Sequence, residues 1–199
     1  MIHNISLFLS NQLIKQDVIE PDYRAVYEYG IELMISSFIG ISLIMLIGAL
    51  LFSIIDAILF LISFILLRSF CGGYHANSYL ACNVCSITSF LIVSILSQID
   101  LIPKSWLMGS LFVCMLIITY ISPIENPYKS IDSKDKIRFK IISSVLFLLF
   151  SIVSLFIVNW NERCFGQLAY TLLVITALAI IGYIKQIRTR KENKHEKDI

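Results

Sequence analysis

Apolar positions along this chain fall into long unbroken runs with short polar interruptions, and the lengths of the runs predict its elements. From Ile31 to Leu67 the chain is almost continuously apolar for 37 residues. About 20 residues cross the hydrocarbon of a bilayer, so this run is too long for one span. A break near Ser53 to Asp56 divides it into spans of roughly 30–52 and 55–68. Four further runs follow: Tyr79 to Leu96, Trp106 to Ile121, Phe139 to Val158 and Leu168 to Ile184. Trp106 sits where an interfacial anchor belongs. Ahead of the first run, Ile5, Phe8, Leu9 and Leu13 recur at intervals of three and four, with Asn4, Ser6, Asn11, Gln12 and Lys15 on the other side. That spacing predicts an amphipathic helix lying on the membrane as packing, with substrate contact as the functional alternative. Pro21, between Glu20 and Asp22, suits the first turn of a new helix.

Composition strengthens the membrane reading. Hydrophobic residues make up 57% of the chain and charged residues 15%, against roughly a quarter charged in soluble domains. The sign and placement of the charges add an orientation. With six spans and a cytoplasmic N-terminus, 14 of the 16 basic residues fall inside, and Lys104 and Arg163 remain outside. The positive-inside rule asks for that asymmetry, so the inverted topology is set aside. Residues 1–30 lack the basic start, apolar centre and cleavage site of a signal peptide, and none is expected. The expected fold class is an all-α polytopic membrane protein: six transmembrane helices, an N-terminal amphipathic interfacial helix and both termini cytoplasmic. A single membrane-embedded domain covers 1–199, with the interfacial segment at 1–29, the six-span core at 30–184 and a charged tail at 185–199. Lone Asp56 falls at the outer turn of the first hairpin and is expected to face water or headgroups.

Candidate chemistry concentrates in the connection between spans two and three, on the inside face, from Arg68 through the diglycine Gly72-Gly73 to Cys85. It contains His75 and Cys82, the pair a thiol nucleophile needs. A free thiol is mostly protonated at neutral pH, and a neighbouring imidazole can take the proton. Seven residues of unbroken helix would put the two on one face but about 10 Å apart along the axis, so contact requires the chain to fold back between them. Gly72 and Gly73 supply the backbone freedom for that. Plainer readings stand beside this one. Free cysteines are commonly small core hydrophobes, which is the reading for Cys114 and Cys164. His75 could be a solvated loop residue, and Arg68 a side chain snorkelling from a helix end. Cys71, His75, Cys82 and Cys85 could instead ligate zinc, although nothing else in the chain suggests a metal domain. An odd count of five cysteines without secreted-scaffold spacing argues against a disulfide framework. The other internal loop, Ser122 to Arg138, carries two prolines and four cations. Pro123 and Pro127 stop span four. The cations suit topology and anionic lipid, with contact to an acidic peptide as the functional alternative.

Arg68-x4-Gly73-Tyr74-His75-Ala76, with Cys82 seven residues after the histidine, resembles the accessory gene regulator protein B family of Gram-positive bacteria. The Pro123-Ile-Glu-x-Pro127 core resembles that family's loop between spans four and five, and the likeness covers most of the chain. The resemblance implies a membrane-embedded cysteine endopeptidase that cuts off the C-terminal part of a quorum-sensing peptide precursor. It further implies closure of the remainder into a thiolactone or lactone. Cys82 would be the nucleophile and His75 the general base, with Arg68 and Gly73 matching supporting positions. Glu125 and Lys129 are candidates for holding the substrate, and Asn77 and Glu125 for orienting His75. Cys71 and Cys85 depart from the family pattern. No cofactor or catalytic metal is expected. The implied partners are a short precursor peptide, the lipid bilayer and, as an option, a second copy of the chain; nucleic acid is not among them.

Two other classes compete: a small peptide exporter, and a non-catalytic membrane assembly factor with a zinc-stabilised loop. Coupled transport calls for charges within the spans, and these spans hold almost none.

Overall fold

The computed structural model of the chain describes residues 2–16, 18–72, 79–99, 102–124 and 132–195. Among them are seven helices: α1 (Ile2–Lys15), α2 (Arg24–Leu51), α3 (Ile54–Cys71), α4 (Tyr79–Ile99), α5 (Lys104–Ile121), α6 (Ser133–Ile157) and α7 (Glu162–His195). Six of these, α2 to α7, are long and apolar enough to cross a membrane. Their outer surfaces carry Met34, Phe38, Leu50, Phe112 and Phe156, all exposed. Apolar surface on that scale is unstable in water and ordinary in lipid. Exposed Trp106 and Trp160 stand just at the start of α5 and just ahead of α7, where indoles meet headgroups.

Helix α7 is the axis of the bundle and packs against α3, α4, α5 and α6. Its stretch from Phe165 to Leu172 is continuously buried. Hydroxyls inside the bundle close on their own helices: Thr171 Oγ1 donates to the Gln167 carbonyl at 2.6 Å and Thr176 Oγ1 to the Leu172 carbonyl at 2.8 Å. No polar group is left facing lipid by these residues. Helix α2 lies to one side, against α1, α3 and α4. It presents Ser36, Gly40, Ile44 and Gly48, a buried stripe of mostly small residues at four-residue spacing that lets helices approach closely without a strong hydrophobic drive.

The connections sort to two ends. At one end the Tyr29 and Tyr79 rings meet at 6.1 Å, and the Ile124 amide donates to the Cys71 carbonyl at 3.0 Å. The start of α2, the α3–α4 connection and the exit of α5 therefore share that end. The other end is tied by a polar cluster. Arg163 Nε donates to the Asp56 carboxylate at 2.9 Å, Gln167 Nε2 donates to Ser94 Oγ at 3.2 Å, and Lys104 pairs with Glu162.

That cluster corrects the expectation for Asp56. Its side chain is 2% exposed and faces Arg163 rather than water. Sequence spacing could not reveal the pairing, because the partners are 107 positions apart. The pair predicts an asymmetric mutational response. Arg163→Ala leaves a buried carboxylate uncompensated, a loss of about 3–5 kcal/mol. Asp56→Ala should cost clearly less, because Arg163 is 40% exposed and can turn to headgroups. Thermal unfolding of the two variants in detergent checks the order, and equal losses would contradict it.

Two elements begin or end beyond the hydrophobic runs. Pro21–Tyr23 forms a 3₁₀ turn that leads straight into α2, so this helix starts within the polar stretch before residue 30. Helix α7 runs on through Lys185 to His195 because the segment holds no Gly or Pro and is rich in good helix formers. Helix α1 folds back on α2 with its polar edge: Ser6 and Ser10 are buried, while Ile5, Phe8 and Leu9 face outward. The predicted apolar stripe is the side left for lipid.

Candidate active site

Helix α3 ends at the first of the two glycines. Gly72 has φ +73°, a conformation that L side chains rarely adopt, and an added Cβ there would stand 2.7 Å from the Ile124 carbonyl oxygen. The close approach fixes where the 73–78 connection departs: beside Ile124, the last described residue before the 125–131 connection. The two loops singled out in the sequence thus leave the bundle from one place. Gly73, His75, Asn77, Glu125 and Lys129 themselves lie outside the described residues.

Arg68 stands in the last turn of α3 and Cys82 in the first turn of α4. Their side chains come together, with Arg68 Nη2 3.9 Å from Cys82 Sγ. The guanidinium also lies over the Phe64 ring, 5.4 Å from its centroid. Phe64 is buried, so this contact holds the arginine inward, toward α4, rather than letting it snorkel away. A planar cation at that distance from sulfur can stabilise negative charge on the thiolate or on a carbonyl oxygen attached to it.

Both groups line a cleft of about 290 Å³ between α2, α3 and α4, whose walls are mainly apolar, with Leu61 and Phe64 among them. Ligand pockets commonly span about 300–1,000 Å³, so the cleft has room for one or two side chains rather than a folded peptide. Asn83 positions its α4 wall. The Asn83 amide donates to the Ser36 carbonyl at 3.0 Å and lies 3.1 Å from the Ser36 hydroxyl. Gly40 makes that possible, since a Cβ there would stand 2.7 Å from Asn83 Oδ1. Asn83, Ser36 and Gly40 were not singled out in the sequence. The four-residue spacing of Ser36 and Gly40 on α2 is the kind of small-residue signal that marks a close helix contact.

The other thiols are placed differently. Cys71 is buried at the end of α3 and its carbonyl is engaged by Ile124. Cys85 is one turn deeper in α4 and does not line the cleft. Cys114 is buried in α5, and Cys164 lies at the opposite end near Arg163. Among the described residues, Cys71, Cys82 and Cys85 do not gather into a metal-holding group; the group of that kind is His3, Glu28 and Glu32.

The fold and this site define a six-span α-helical membrane protein that holds a thiol and a guanidinium together at a cleft between its helices. The family model described as Accessory gene regulator B matches residues 6–187, and the chain belongs to that family. An AgrB-like protein of Clostridium perfringens (strain SM101 / Type A) is 22% identical over 201 residues, covering 94% of each chain. No solved structure matches. Membership assigns the protein to the processing of quorum-sensing peptides at a membrane.

Proposed function

We propose that the protein is a membrane-embedded cysteine endopeptidase that removes the C-terminal part of a short quorum-sensing precursor and promotes cyclisation of the remainder. The observation that carries this reading is the Arg68–Cys82 juxtaposition at the cleft, next to the point where the His75 loop leaves α3. Connectivity supports the partner: His75 is three residues from Gly72 and four from Tyr79, a reach of at most about 11 and 14 Å.

In this reading the Cys82 thiolate attacks the scissile carbonyl, and Arg68 stabilises the charge that develops on its oxygen. The amide bond breaks, His75 delivers to the leaving amine the proton it took from the thiol, and an acyl-enzyme thioester remains. A cysteine or serine within the precursor then attacks that thioester. Cys82 leaves as the thiolate and a thiolactone or lactone ring closes. Exchange of one thioester for another is close to neutral in free energy, so the cleft's apolar walls matter chiefly by keeping water from the acyl group. Making a thioester from a peptide bond is uphill, and removal of the cleaved tail would draw the sequence forward. Gly73 is a supporting residue in this reading, and Glu125 and Lys129 are candidates to hold the precursor. The test is co-expression with candidate short precursors that carry an internal Cys or Ser and an acidic tail, followed by mass measurement. A product lighter by the tail is expected. Unchanged precursor appearing outside the cell would favour an exporter.

Two further outcomes belong to this reading. Chelators should leave cleavage intact while a thiol alkylator stops it. Stoichiometric zinc held by sulfur, lost together with activity, would favour the zinc-stabilised loop. The end of the bundle that carries the 73–78 and 125–131 connections should be cytoplasmic, as the distribution of basic residues requires. Cysteines introduced near Asp100 and Asn161 should label from outside intact cells, and those near Ser78 or Ser130 should not. Labelling at Ser130 from outside would reverse the orientation.

A further inference from the structure

A second cluster of chemically competent side chains lies apart from the thiol, where α1 docks on α2. His3 Nδ1 is 2.8 Å from Glu32 Oε1 and 3.2 Å from Glu28 Oε1. One ligand atom from each of the three residues lies within 4.8 Å of the other two. Glu28 and Glu32 are four residues apart on α2, hence on one face, and their side chains are only 18% and 15% exposed. Two like charges at that spacing destabilise a helix unless something neutralises them. A single imidazole carries at most one positive charge and cannot offset both.

We propose that His3, Glu28 and Glu32 form a binding site for a divalent transition cation that fastens α1 to α2. Imidazole nitrogen and carboxylate oxygen bind zinc-like ions at about 2.0–2.2 Å, which sets neighbouring ligand atoms about 3.3–3.6 Å apart in a tetrahedral site. The two separations from His3, 2.8 and 3.2 Å, fall short of the lower end of that range by about half an ångström or less. The ligand atoms of Glu28 and Glu32 lie within 4.8 Å of each other, so small side-chain shifts would admit the ion. Solvent on the exposed side of His3 would complete the coordination. The ligands are also oriented from behind, as metal ligands commonly are. Ser6 Oγ donates to Glu32 Oε1 at 3.1 Å, and the Tyr79 side chain lies close to the same carboxylate. Position along the helix fits as well. The 28 residues of α2 measure about 42 Å, whereas the hydrocarbon is about 30 Å thick. The first turns, which hold Glu28 and Glu32, can therefore stand in the headgroup region where cations are accessible. Through Tyr79, the first residue of α4, the site touches the helix that carries Cys82. The cation has no part in the cleavage chemistry.

The test uses the purified full-length protein in detergent with Co²⁺ as an optical probe. One equivalent is expected to bind, with visible d–d absorption and without the sulfur-to-cobalt band of a thiolate site. His3→Ala, Glu28→Gln and Glu32→Gln should each weaken binding by about tenfold or more, since each removes one of three protein ligands. His3→Cys should keep the site and add the sulfur-to-cobalt band, a gain that misfolding cannot produce. Three results would overturn the proposal: no saturable binding, a sulfur band in the unmutated protein, or an unchanged affinity in the His3→Ala/Glu32→Gln double variant. None of these readouts involves peptide cleavage, so a protein that cuts no precursor yet binds Co²⁺ through His3 separates this proposal from the proposed function.

Discussion

Cys82→Ala is expected to abolish precursor cleavage, while Cys71→Ala, Cys85→Ala, Cys114→Ala and Cys164→Ala each keep substantial activity. Five thiols are present, so the assignment has to come from placement. Cys82 is the cysteine that shares the cleft with Arg68. Cys85 lies about 4.5 Å further along the helix axis, by the rise of three residues, and is off the cleft lining. Cys71 is buried at the other side of the Gly72 turn, where Ile124 closes over it. Its removal creates only a small cavity and should be felt as stability, not chemistry. His75→Ala should insert normally and bind precursor but cleave it slowly or not at all, because a thiol without a base is mostly protonated at neutral pH. Raising the pH should recover part of that loss and none of the Cys82→Ala loss. Product masses from cells co-expressing the precursor read all of these variants. If Cys82→Ala still cuts, or Cys85→Ala alone cannot, the reacting thiol is elsewhere.

Much of the fold was legible because membrane spans announce themselves by length. The break after Phe52, the six runs and the start at Pro21 are local properties of the chain, set by side-chain transfer into lipid and by proline stereochemistry. Long-range polar pairings were not legible. Asp56 is expected in water or headgroups from its place at the outer turn of the first hairpin, whereas its partner Arg163 comes from a different outer connection. Asn83 reaches Ser36 across 47 positions, and His3 reaches Glu32 across 29. Such contacts depend on which helices become neighbours, and hydropathy is silent on that. At the site, residue types and the His75–Cys82 spacing were visible in the sequence. The 14-position approach of Arg68 to Cys82 was not, because it requires α3 and α4 to meet at the same end and Phe64 to hold the guanidinium inward.

Arg68→Ala is expected to lower cleavage by about 10²–10³-fold, the range seen when one donor to a developing oxyanion is removed. The loss should appear without unfolding, because Arg68 is only part-buried and Phe64 keeps its packing against Phe60 at 4.8 Å. Arg68→Lys should recover only part of the activity. Lysine keeps the charge but lacks the planar group that lies over the Phe64 ring, so its ammonium is held less firmly beside sulfur. A purely structural role for Arg68 predicts a different pattern: both variants would lose thermal stability in proportion to activity, and lysine would fail as badly as alanine wherever its shape does not fit. Alkylation separates the two. Iodoacetamide should modify Cys82 more slowly in Arg68→Ala than in the parent, with partial recovery in Arg68→Lys, while the rate at Cys85 stays unchanged and serves as the internal control. Peptide mapping by mass spectrometry resolves the two cysteines. An Arg68→Ala protein that is folded, alkylates at Cys82 at the parent rate and cleaves the precursor normally would remove the guanidinium from the mechanism. The thiol would then have to work with the histidine alone.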